Sequence, residues 1–270
     1  MMALKFSRKH LGIPYALFMA LFVIFPLLLI VYYAFTDAEG KISFINFIDF
    51  FSSNANLTAL FLSFALAILT TAICLLIAYP AAYILARTNV NKNGVMLLLF
   101  ILPMWINFVL RTAAMKELLY SIGMFNSNKT SFLNTLIGMV YDYLPFTILP
   151  IYTVLEKLDK NVLEASSDLG ANGIQTLFKV TIPLSMPGIV SAITMVLLPT
   201  MTSYVVSDTL GNGNVTIIGK LIENQFSVMY NWNAGSAIAM ILLVFIFATM
   251  LLTGKFAEED SADARGGGLW

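Results

Sequence analysis

The chain has 270 residues, is 59% hydrophobic and only 11% charged, and its 15 basic side chains balance its 15 acidic ones. A soluble domain ordinarily carries about 25% charged residues, so the composition excludes one and defines an integral membrane protein. With 1 His and 1 Cys, zinc-ligand sets and Ser/His or Cys/His nucleophile arrangements are unsupported.

Residues 1–10 form a short basic head that anchors topology. The run from Leu11 to Thr36 is too long for a signal peptide and no small-residue cleavage site follows it, so it reads as a retained first span, lipid-facing, with Pro26 inside. Phe44, Phe47, Phe50 and Phe51 then recur at helical spacing, which suggests an interfacial segment. The second span, Leu57 to Ala86, carries Ala65, Ala67, Ala72, Ala78, Ala81 and Ala82, small residues that let neighbouring helices approach. Cys74 lies mid-span as an apolar filler.

The third span, Gly94 to Leu110, holds Pro103, Trp105 and Asn107 near its outer end, where a Trp most often anchors the membrane interface. An external stretch, Thr112 to Ser131, follows. The uncharged runs on either side of Asp142 are each too short to cross, but joined they make a fourth span of about 24 residues. An ionisable residue inside a span is costly and marks a functional site by default. A hydrogen-bonded structural Asp in a helix kinked by Pro145 and Pro150 is the alternative. The fifth span runs from Leu184 to Ser207, with Pro199 inside and Tyr204 and Asp208 at its outer end. Asn212 to Asn214 make an external turn, Ile217 to Phe226 a short or re-entrant helix, and Trp232 an anchor before the last span, Ala234 to Thr253. The tail, residues 255–270, is acidic and then Gly-rich and reads as disordered.

With the N-terminus inside, ten basic residues (Lys5, Arg8, Lys9, Arg87, Lys92, Lys157, Lys160, Lys179, Lys255, Arg265) fall on one side and five (Lys41, Arg111, Lys116, Lys129, Lys220) on the other. The positive-inside rule therefore expects six transmembrane helices within residues 11–254, with both termini and the loop 156–183 in the cytoplasm.

That loop is the one place where the chain becomes charged, capped and Gly-punctuated. Asn161 and Glu164 have capping-box spacing, and Val162, Ala165 and Leu169 make a narrow apolar stripe. Gly170 suits the left-handed residue that closes a helix. Asn172 with Gln175 repeats the box, and Ile174, Leu177 and Phe178 form a second apolar face. Pro183 and Pro187 mark entry to the next span.

Glu164-Ala165-Ser166, Gly170, Val180, Ile182 and Pro183 together resemble the EAA…G…I-L-P signature of bacterial ABC importer permeases, with conservative departures at Ser166, Val180 and Ile182. The flanks, Glu156 to Lys160, Asp168 to Ala171 and Tyr204 to Asp208, resemble the spermidine/putrescine importers among them. The resemblance implies an all-α, type I (MetI-like) fold in which this loop is the coupling helix. Glu164 would hold that lever, Leu169 and Ile174 would pack in a cleft of the ATPase, and Ala165, Ser166, Asp168, Gly170 and Pro183 would complete the surface. It also implies a second permease subunit, two cytoplasmic ATPase subunits that carry ATP and Mg, an extracytoplasmic polyamine-binding protein, surrounding lipid, and a bacterial plasma-membrane location. No cofactor of its own and no nucleic-acid partner are expected.

A polycation crossing a low-dielectric span needs carboxylates and aromatic faces. Trp105, Asn107, Tyr141, Asp142, Tyr143, Tyr204 and Asp208 are the candidates, Trp105 and Asn107 also because such permeases carry an aromatic followed by Asn and Arg there. An ordinary interfacial acid is the alternative for Asp208. No P-loop is present, since the segment from Gly213 to Lys220 has its glycines wrongly spaced and Leu221 in place of Ser/Thr. ATP hydrolysis is therefore expected in a separate chain. Another ABC importer substrate, a stand-alone transporter with Asp142 as proton site, and an anchor-only role remain as alternatives.

Overall fold

The computed structural model describes residues 12–88, 94–126 and 128–266, with side chains over 14–88, 94–125 and 129–251. The basic head therefore lies outside the described residues. Those described are helical, apart from turns and one isolated bridge between Thr36 and Ile42. In chain order the helices are α1 (Pro14–Ala34), α2 (Ile45–Ser52), α3 (Asn54–Arg87), α4 (Val95–Trp105), α5 (Phe108–Ser121), α6 (Ser131–Lys157), α7 (Lys160–Asp168), α8 (Gly173–Leu184), α9 (Met186–Thr202), α10 (Tyr204–Leu210), α11 (Ile218–Glu223) and α12 (Trp232–Gly266).

Four of these, α1, α3, α6 and α12, contain a stretch long and apolar enough to cross a membrane alone. Counting each of two bent pairs, α4 with α5 and α8 with α9, as one span gives six. Helix α12 continues to Gly266, through the stretch that the sequence reads as disordered. Its Ala, Glu and Lys residues are good helix formers, and the glycine run begins only at its end.

The chain divides into two compact units, one of residues up to 57 with 221–244, the other of residues 58–220 with 245 onward. In the first, the apolar window of α1 buries nothing within the protein, as expected of a lipid-facing helix. A π-turn at Ala20–Ile24 precedes Pro26. The proline has no amide hydrogen to donate and its ring pushes the preceding turn open, which the wider turn absorbs. Beyond α1 the buried carbonyl of Thr36 is met by two side chains: Asn233 donates to Thr36 O at 2.7 Å and Asn46 to the same oxygen at 2.9 Å. Phe50 of α2 is buried while Phe44, Ile48 and Phe51 are exposed, an amphipathic arrangement suited to an interface. Trp232 packs its ring 5.4 Å from that of Phe226 and 6.4 Å from that of Tyr33.

The second unit is built on α6. Helix α9 makes the most extensive helix contact in the protein with it. Gly188 permits this, because a Cβ there would lie 3.0 Å from Pro150 O and 3.2 Å from Ile151 Cα, both backbone. One apolar cluster joins α3, α5, α6 and α10 through Leu66, Leu119, Leu136, Met139, Val206 and Leu210. A second joins α3, α6 and α9 through Ala78, Ala82, Ile148, Ile151, Leu155 and Ala192. Of the predicted small residues on α3, Ala67, Ala78 and Ala82 are buried, whereas Ala65 and Ala72 face outward on the other side of the helix. Cys74 is buried, its Sγ 3.7 Å from Val140 O.

Two regions depart from the expected spans. The third is broken: α4 and α5 meet at 94°, and the stretch expected to be external is a packed helix that buries Arg111, Thr112 and Leu119. Asn107 causes the break by capping α5, accepting from Val109 N at 2.9 Å and Leu110 N at 3.4 Å, so the backbone restarts a helix instead of extending one. The fifth is also segmented: α8 meets α9 at 66° through Ser185, and a further break at Ser203 starts α10. Ser185 is fully buried, its hydroxyl 2.9 Å from that of Tyr79 on α3.

Candidate functional site

Two sites emerge, a braced surface formed by α7 and α8 and an open cavity beside Asp142. Both lie within the second unit.

Helix α7 begins two residues earlier than the sequence reading. Asp159, not Asn161, is its cap, accepting from Asn161 N at 3.0 Å. Glu164 therefore does not close a box on Asn161. Its exposed carboxylate makes no ion pair among the described residues. A carboxylate outcompetes a carboxamide for the cap because it accepts more strongly. At the other end Gly170 adopts φ +86°. Gly170 N donates to Ser167 O at 2.9 Å and Ala171 N to Ser166 O at 3.1 Å, the paired bonds of a Schellman motif. The second box forms as expected, with Asn172 and Gln175 exchanging bonds at 2.9 Å.

The two helices are tied to each other by Ser166, whose hydroxyl lies 2.9 Å from that of Thr176, both buried. Ser166, a departure from the family pattern, thus supplies a cross-link that alanine could not. A π-turn at Leu177–Thr181 precedes Pro183, repeating the arrangement before Pro26. The apolar side chains predicted here are left uncovered: Leu169 is 89% exposed, Ile174 70% and Phe178 64%. Val162, Ala165 and Asp168 are exposed beside them. The result is a rigid element that presents apolar groups outward. Replacing Gly170 by Ala should cost about 1–2 kcal/mol, the penalty of an L-residue in the left-handed region, read as loss of helix stability by amide exchange over residues 160–176.

The cavity has a volume of about 430 Å³ and is lined from α4, α5, α6, α9 and α10. Asp142, Tyr143 and Tyr204 line it, together with Arg111, Phe108 and Phe146. Arg111 Nη2 is 3.2 Å from Asp142 Oδ1, with side-chain exposures of 5% and 1%. Thr112 Oγ1 donates to Asp142 Oδ2 at 3.3 Å, and Arg111 Nη1 to Pro103 O at 3.1 Å. Four predicted residues stand apart. Trp105 is 77% exposed, which fits a membrane-interface ring. Asn107 is the helix cap described above. Tyr141 faces outward, one residue round the helix from Asp142. Asp208 is half exposed and paired with Lys220 at 3.4 Å; Lys220 also lies 5.9 Å above the Tyr204 ring.

Arg111 is the cavity residue that the sequence alone leaves at the end of an uncharged run, where it reads as an external charge, whereas the structure buries it against Asp142. The signal that points to it is physical: a charged side chain buried in a span tends to pair with another, and Arg111 directly ends the apolar run of the preceding span, on the same side as Lys116 and Lys129.

A multi-helical membrane unit with an open cavity that holds a buried Arg–Asp pair among apolar and aromatic side chains, and a braced outward apolar element, fits a transport permease. Residues 78–256 match the family described as binding-protein-dependent transport system inner membrane component, and the chain belongs to that family. Among its relatives are the spermidine/putrescine transport system permease protein PotB of Haemophilus influenzae, 36% identical over 94% of this chain and 98% of that protein. The PotB proteins of Salmonella typhimurium LT2 (34% identical, 89% and 93% covered) and Escherichia coli K12 (35% identical, 73% and 79% covered) are similar. Solved structures agree on the fold. A chain of a bacterial ABC transporter that imports the acidic polysaccharide alginate superposes with a TM-score of 0.76 at 14% identity, covering 93% of this chain and 94% of that one. The same transporter in complex with an alginate pentasaccharide-bound periplasmic protein gives 0.75 at 13% identity. The protein is thus a multi-pass inner-membrane permease of MetI-like, all-helical fold.

Proposed function

We propose that this chain forms half of the translocation pathway of an ATP-driven importer for polyamines of the spermidine and putrescine type. A second, PotC-like permease completes the pathway, and an extracytoplasmic PotD-like protein delivers cargo. Of two cytoplasmic PotA-like ATPases, holding ATP and Mg, one seats on α7 and α8 and the other on the corresponding loop of the partner permease. Both termini then lie in the cytoplasm.

The observation that carries the coupling role is the combination of bracing and exposure. Caps, the Schellman turn and the Ser166 to Thr176 cross-link keep the element from fraying, while Leu169, Ile174 and Phe178 stay uncovered. A lever that transmits motion between subunits needs both properties, since a flexible contact would absorb the displacement. ATP-driven closure of the ATPases would move α7 and α8 together, with the bend at Ser185 as the joint to α9. Glu164, exposed beside the apolar patch, is placed to meet a basic group on the ATPase. The cargo reading is supported by the PotB relatives and by the chemistry of the cavity, a buried carboxylate among aromatic rings.

The test is uptake of radiolabelled spermidine and putrescine into vesicles containing the chain with its partner permease, ATPase and binding protein. Polyamine uptake that requires ATP and is lost in Glu164→Ala supports the reading. ATP-dependent uptake of a different solute only would keep the importer and remove the cargo. Uptake by this chain alone, driven by a proton gradient, would overturn the role as a subunit.

A further inference from the structure

The carboxylate beside the cavity is incompletely satisfied. Asp142 Oδ1 has Arg111 Nη2 at 3.2 Å, yet it is buried and receives no aligned hydrogen bond among the described residues. Arg111 Nε is likewise buried without an acceptor there. A well-formed Arg–carboxylate pair is a two-bond fork, and this one is not. A buried pair with unsatisfied atoms recovers little of what its desolvation costs. Arg111 meanwhile has two other attachments, the carbonyl of Pro103 at 3.1 Å and the ring of Phe108, whose centroid is 6.0 Å from the guanidinium carbon. Both members of the pair open onto the cavity, where Phe108, Tyr143, Phe146 and Tyr204 supply rings.

The geometry points to Arg111 as an internal stand-in for the cargo cation, and hence as a specificity-determining residue. It neutralises Asp142 in the empty site and yields Oδ1 to an incoming primary ammonium. The ammonium is compact and carries three donors, so it can satisfy an oxygen that the planar guanidinium meets off-axis. The guanidinium keeps Pro103 O and Phe108, which it already contacts, and stays beside the Asp142 carboxylate, which the two cations then share. This inference rests on the polyamine reading and extends it.

The consequence is selectivity. A bare buried carboxylate would attract any cation, including potassium, whereas a carboxylate already paired offers a small ion nothing it does not have in water. A polyamine compensates for displacing Arg111 by laying its methylene chain and remaining charge along the aromatic walls. Arg111 would therefore exclude inorganic cations without repelling the cargo outright.

The experiment compares spermidine uptake by the complete transporter in vesicles, with and without potassium chloride at matched ionic strength. It uses wild type, Arg111→Gln, and the double variant Arg111→Gln with Asp142→Asn. In Arg111→Gln the apparent KM for spermidine falls in the absence of potassium, and uptake becomes inhibited by it. The double variant restores a neutral interior and assembles as wild type by thermal stability in detergent. Its KM nevertheless rises about tenfold or more, the size of one lost charge-assisted hydrogen bond.

A double variant with wild-type KM would show that the pair is only structural and would overturn the proposal. So would Arg111→Gln with unchanged KM and no potassium inhibition. If Arg111→Gln does not assemble, the KM of the double variant decides alone. Wild-type vesicles that import no polyamine would remove the cargo reading and this inference together, whereas polyamine uptake that is normal in the double variant removes only the inference.

Discussion

Replacing Leu169 and Ile174 together by Asp abolishes ATP-driven uptake while the permease still folds and inserts. The two side chains are 89% and 70% exposed, so their loss removes no packing from this chain, and exposed substitutions of this kind usually change stability by about 0.5 kcal/mol or less. At an interface the same change is severe. An apolar anchor in a desolvated pocket contributes about 2 kcal/mol or more, and a carboxylate forced into that pocket adds an unpaired buried charge. The measurement is co-purification of the ATPase subunit together with uptake, both expected to be lost while the thermal stability of the permease alone is unchanged. Normal ATPase retention would place the subunit contact elsewhere on the chain.

Asp142→Ala is expected to produce the largest loss of stability of any single change considered, about 3–5 kcal/mol, because it strands the guanidinium of Arg111 in the interior without its counter-charge. Arg111 is only 5% exposed at its side chain, and its Nη1 bond to Pro103 O cannot neutralise it. Adding Arg111→Met removes the stranded charge and should recover most of the loss, since apolar replacement of both members of a buried pair is often neutral or better. Thermal unfolding in detergent reads this cycle directly. Simple additivity of the two single changes would mean that the side chains do not interact, contrary to their 3.2 Å separation. Recovery of stability without recovery of transport is the combined signature of the pair and of its proposed role in admitting cargo.

The α7–α8 element was legible in the linear chain because its determinants are local. A left-handed Gly170, a box between Asn172 and Gln175, and prolines at turn-to-helix transitions each follow from the properties of a few neighbouring residues. The start of α7 differs from the sequence reading because only Asn161 has an acid three residues on, yet the Asp159 carboxylate, the stronger acceptor, takes the cap without a box. The cavity was legible only in part. Asp142, Tyr143 and Tyr204 are residue types that advertise themselves in an apolar span, but Trp105 and Tyr141 do so equally and face outward. A ring in a membrane helix is favourable against lipid and against cargo alike, so residue type does not assign the side.

By itself the sequence determined that this chain is a helical membrane protein, where its first, second, fourth and sixth apolar helices fall to within about a turn of their apolar windows, and that one loop is capped and Gly-closed. These properties depend on apolar run length and on hydrogen bonds between near neighbours. The tertiary structure alone decided that the third and fifth spans are broken, that Arg111 turns inward to Asp142, and that Asn107 caps a helix instead of facing the cavity. Each of these depends on contacts between helices far apart in the chain. A charge at the end of a span is equally compatible with water and with a buried partner until packing brings that partner within reach.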